Sequence, residues 1–286
     1  MMALRSCSDS DDLRPLPGRR SSQRPVLRRL RCARRHGLPS MRRPVVDDQR
    51  FCPGCGRQAI AVAIRASQPR AELMARTLVG WAAGVIGGRL EEAERENAEA
   101  LRLARALGAK RFEAQIQGVT AVLAHQCGDH ERARGLAQAA IAVCREHGMG
   151  HIGPWTHGVC ALVEIDRDAR IAWLEEGERQ LALGCVSHNH IQLRELAIDV
   201  LLELGDVDGA EQQCAAIAAY TANESLPMSE FSMARGRALA RFGRGERSQG
   251  LPDDLRALRS TDSQSEMNTL LATLDVAIAA FEASSR

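Results

Sequence analysis

The stretch GCVSHNH at 184–190 places His188 and His190 one residue apart with Cys185 just upstream, and FCPGCGRQ at 51–58 sets Cys52 and Cys55 two residues apart. Imidazoles and thiolates are the ligands that hold zinc and related ions. Helical ligands converge when they stand three or four residues apart, whereas residues two apart point about 200° away from each other. His188 and His190 therefore cannot grip one ion from within a helix. The Cys52–Cys55 pair has the spacing of half a zinc knuckle, but a closed site takes four ligands. Cys7 and Cys32, the other thiols of the N-terminal segment, are not spaced to complete it. No metal site is expected, Cys52 and Cys55 being the candidates should one exist, and no resident cofactor is expected.

Other chemistry is equally sparse. GVIGGR at 84–89 is rich in glycine but lacks the Lys-Ser/Thr that follows a phosphate-cradling loop. It reads as a turn between helices. An enzyme built on His188, His190, Cys185 or the acidic pair Glu175–Glu176 is an alternative, although spacing alone assembles no nucleophile, base and orienting group from them. The reading adopted is a chain without catalysis.

The elements that carry these residues are legible in composition and rhythm. Aromatics make up 3% of the 286 residues while 45% are hydrophobic, so the core is drawn from Ala and Leu, which suit close-packed helices better than sheets. Residues 1–57 hold fourteen Arg against five Asp, a charge of +9, which leaves −7 for residues 58–286. This basic arm, rich in Pro and Ser and without apolar period, is expected to be disordered. It also has the character of an out-of-frame or mis-started segment. Its arginines suit a nucleic-acid-binding or transcription-regulator accessory role as a second alternative, though no helix-turn-helix is recognisable and nucleic acid is not the expected partner. The odd count of nine cysteines, most within apolar helical patterns, suggests a reducing compartment, and no apolar run is long enough to span a membrane. A cytoplasmic protein is expected.

From about Arg70 onward the punctuation repeats. Turn signals fall at Gly88, Gly128, residues 165–168, Gly205 and Gly243, a period near forty. Each period holds two helices, and the spacing predicts helices near 71–86, 90–107, 110–126, 130–147, 153–165, 168–183, 189–204, 207–221, 228–242, 252–259 and 264–283. One helix pair cannot bury its apolar stripe alone, so the fold class is all-α, a TPR-like α-solenoid of antiparallel pairs. Ala93 with Ala100, Ala133 with Ala140, and Ala210 with Ile217 stand seven apart at the contact face of the second helices. Ser187 is the expected N-cap of the helix that begins with the histidines.

Repeats of the form Gly-Asp-x-x-x-Ala resemble tetratricopeptide repeats, although they are longer than that repeat and lack its aromatic signature. GMGHIGPW at 148–155, LEEGERQLALGCVSHNH at 174–190 and EFSMARGRALARFGRG at 230–245 resemble, in sequence and order, the C-terminal helical-repeat region of bacterial class III nucleotide cyclases that carry an ATPase module. The likeness covers about residues 70–250 and implies an interaction or regulatory module of a larger signalling protein, bound to a protein partner or another domain. The cyclase carboxylates and the ATPase loop have no counterpart here. On that reading the partner-binding candidates are Trp155, His188, Asn189, His190 and Arg194, along a face formed chiefly by the first helix of each pair.

Overall fold

The structure, a computed structural model, describes residues 53–224, 226–248, 250–265 and 271–284. All secondary structure among them is helical. After α1 (Pro53–Arg65), the first helices of successive pairs are α2 (Pro69–Trp81), α4 (Lys110–Gln126), α6 (Gly153–Val163), α8 (Asn189–Glu203), α10 (Pro227–Gly243) and α12 (Leu271–Ser284). The second helices are α3 (Leu90–Ala106), α5 (His130–His147), α7 (Arg167–Leu183), α9 (Val207–Tyr220) and α11 (Gly250–Ser265). A π-helical turn, Ala82–Ile86, prolongs α2.

The repeated turn has a local cause. Gly128 and Gly205 take φ of 79° and 75°, a left-handed conformation that ends the preceding helix without a side-chain clash. The next residue then caps the following helix: Asp129 accepts from the Arg132 N–H at 3.2 Å and Asp206 from the Gly209 N–H at 2.9 Å. Asp166 does the same for α7 through the Ala169 N–H at 2.9 Å. Four residues after the cap, Ala133 and Ala210 lie fully buried. Ala93, Ala100, Ala140 and Ile217 are likewise at 0% exposure, so all three seven-residue pairs sit at helix contacts.

Each second helix packs on its own partner and on the first helix that follows, and the first helices also pack on one another, α2 on α4 and onward to α12. The first helices are therefore enclosed on more sides. Every residue of α6 is buried, whereas α5 buries one stripe of Ala133, Ala137, Ala140, Ile141 and Cys144. The apolar excess of the α6 sequence GPWTHGVCALV follows from that position.

Several expectations are corrected. Gly243 remains inside α10, and the turn glycine is Gly245, with φ of 81°. A helix that the period did not reveal, α1, spans the expected boundary at residues 57–58. It takes up Cys55, which is exposed at the helix start rather than in a knuckle loop. The arm's residues 1–52, with Cys52, lie outside the described residues. Helix α11 runs on through residue 264 to Ser265, where a new helix was expected to begin. The glycine cluster at 84–89 has a packing reason: a Cβ on Gly84 would come within 2.4 Å of Leu123 and 2.7 Å of Ala93.

A candidate interaction face on the first helices

A small recess opens on the row of first helices, lined by Leu78 and Trp81 of α2, Gln115 and Val119 of α4, Ile152 and Trp155 at the start of α6, and Gln192 of α8. Four consecutive pairs contribute to it. Its lining combines aliphatic side chains and two indoles with two uncharged amides. Leu78 is 51% exposed at the edge, and Met74, one turn earlier on the same face, is 53% exposed. Trp155 is seated by a glycine: a Cβ on Gly118 would fall 2.5 Å from the indole ring.

Below this recess the loops before α6 and α8 are tied by one side chain. Asn189 accepts from the Trp155 N–H at 3.2 Å and donates to the carbonyls of His151 at 2.9 Å and Val186 at 3.0 Å. It is fully buried, and Trp155 is 5% exposed. Asn189 is thus interior, and Trp155, although buried, lines the recess.

Ser187 does not cap α8. The helix's N-cap residue is His188, and no side chain makes the capping bond. The N–H groups of Asn189, His190 and Ile191 are instead taken by the carbonyls of Val186, Ser187 and His188, three residues back in each case, so the first turn satisfies its own donors. The two histidines diverge as their spacing required. His188 meets the ring of His151 edge-on with centroids 6.0 Å apart, and His190 stacks on Tyr220 at 4.5 Å. Burial holds both imidazoles below their usual range. Arg194 donates to the His190 carbonyl and to Glu178 of α7, each at 2.9 Å, which engages it within the fold.

No group of three or more His, Cys, Asp or Glu side chains converges for a metal among the described residues. Burial raises the Cys185 thiol. Glu176 is paired with Arg179, and Glu175 is exposed. No helix among the described residues is long and apolar enough to cross a membrane.

Two titratable clusters escaped the sequence reading. His157 on α6 is 1% exposed, packs against Trp173 with centroids 5.4 Å apart, and is pushed down by burial to about 4. Farther along the row, Glu195 and Asp199 of α8 meet Ser232 and Arg235 of α10 and Thr273 of α12. Burial raises the Glu195 carboxyl to about 7. The signal was present in ELAID (195–199), where two acids four residues apart interrupt an apolar period, and in SMARGRA, where Arg235 does the same.

Comparison with protein families, with curated proteins and with solved structures finds no match in any of the three.

Proposed function

We propose that the chain is a non-catalytic, TPR-like α-solenoid module whose row of first helices receives an extended segment of a protein partner or of another domain of a larger signalling protein. One observation carries the reading: the recess takes its walls from four consecutive first helices, so a segment lying across it meets each of those four pairs in turn. Its uncharged lining favours an apolar side chain, with Gln115 and Gln192 placed to hydrogen-bond the segment's backbone. The resemblance of three blocks to the repeat region of nucleotide cyclases supports a regulatory role inside the cell, with phosphoryl chemistry left to other domains.

Leu78→Asp tests this reading. Leu78 is half exposed, so the substitution should change stability by no more than about 0.5 kcal/mol while placing a charge at the recess. Peptides selected by display against the immobilised wild-type protein should lose at least about tenfold in affinity for the variant. Equal binding to both proteins would remove the recess from consideration. In parallel, the protein with Mg²⁺ or Mn²⁺ and ATP or GTP should release no cyclic nucleotide and no phosphate above a heat-treated control. Turnover abolished by a single carboxylate or histidine substitution would overturn the non-catalytic reading.

A further inference from the structure

Glu195 accepts a hydrogen bond from the Ser232 hydroxyl at 3.1 Å, an uncharged partner on the neighbouring helix. One turn later on α8, Asp199 takes one arm of the Arg235 guanidinium, and the other arm reaches Thr273 of α12 at 3.0 Å. Arg235 is 3% exposed, yet its Nε–H has no acceptor. A carboxyl without a cation and a buried cationic N–H without an acceptor therefore share one junction. An unpaired buried donor is costly, which favours a second arrangement that satisfies it.

We propose that the junction of α8, α10 and α12 is a proton-operated joint. With its proton on, Glu195 rests on Ser232 and Arg235 serves only Asp199 and Thr273. When the proton leaves to solvent, the Glu195 carboxylate turns to the free Nε–H of Arg235, and α8 and α10 become linked by a second ion pair in place of a neutral hydrogen bond.

The charges around the site set where this happens. Burial is the largest influence on Glu195 and disfavours its ionised form; Asp199 on the same helix adds repulsion, while Ser232 and Arg235 on α10 partly offset both. Helices α6, α7 and α9, also packed on α8, place no charged side chain among the groups that act on it. The carboxyl consequently changes charge near neutrality, at about 7. Because this value lies above the unfolded one, folding is favoured most at low pH. That advantage is lost as pH rises from the unfolded value of 4.5 through about 7. Gln192 stands three residues before Glu195 on α8, so a reseated α8 would also shift the recess wall; that consequence, unlike the joint, rests on the peptide-binding reading.

The full chain labelled with ¹³C-glutamate and ¹⁵N-arginine provides the test, with Glu195→Gln to assign the carboxyl signal. The Glu195 carboxyl should titrate with a midpoint near 7, and the Arg235 Nε–H resonance should move with the same midpoint. A carboxyl midpoint below about 5, or an Nε–H that stays still while the carboxyl titrates, overturns the joint. In urea unfolding, wild type should lose stability relative to Glu195→Gln as pH rises from about 5 to about 8, and parallel curves would also overturn it. Should that variant fail to fold, Glu195→Asp supplies the assignment and the wild-type titration decides.

Discussion

Where α6 and α8 begin, the buried polar group is neutral: the Asn189 amide closes on one N–H and two carbonyls, and farther along α6, against Trp173 of α7, His157 is held as the uncharged base. Between α8 and α10 the polar groups are ionisable: two partly buried carboxyls stand beside one buried guanidinium. Both junctions join consecutive first helices of one row. A neutral tie fixes loops at every pH, while an ionic one carries a charge imbalance that protons can settle. The pH dependences are of opposite sign. His157, depressed by burial, costs stability as pH falls below its unfolded value of 6.5, whereas Glu195, raised by burial, costs stability as pH rises above 4.5. Across the interval between those values these two contributions largely cancel each other.

Removing the ionic tie should have the largest effect. Arg235→Met leaves Asp199 without its buried cation and should cost about 4 kcal/mol in urea unfolding near neutral pH. A loss below about 1 kcal/mol would mean that solvent already screens this junction. Asn189→Ala should follow at about 3 kcal/mol, because the Trp155 N–H and the carbonyls of His151 and Val186 lose their partner together. Its cost should be the same at about pH 5 and 8, since no proton is involved; a pH-dependent cost would erase the distinction between the junctions.

His157→Leu unmasks one side of the cancellation. The stability difference should shift in the variant's favour by about 2 kcal/mol as pH falls from about 7 to about 5, because only wild type must keep an imidazole unprotonated. A constant difference would place the titration of His157 in its ordinary range. The smallest effect belongs to Ser187→Ala. Its hydroxyl makes no capping bond, so the change should stay within about 0.5 kcal/mol, against about 1 kcal/mol for Asp206→Ala, whose carboxylate does cap.

The sequence by itself determined what depends on neighbours along the chain. Helix after helix followed from apolar spacing, and the Gly-Asp turns followed from one left-handed residue and one capping carboxylate, each a matter of a few adjacent residues. It misplaced Gly245 by two residues because an RFGRG run offers two glycines of equal local merit, and only packing selects between them. It assigned Ser187 a cap that the tight first turn of α8 had already made unnecessary. What only the tertiary structure decided are the meetings across the row: Asn189 with Trp155, 34 residues apart, and Asp199 with Arg235, 36 apart. The electrostatic character of Glu195 and His157 belongs to the same class. A carboxyl or imidazole departs from its ordinary behaviour through the water it loses and the charges it faces, and both are supplied by helices remote in sequence, so the residue's type and local spacing do not reveal them.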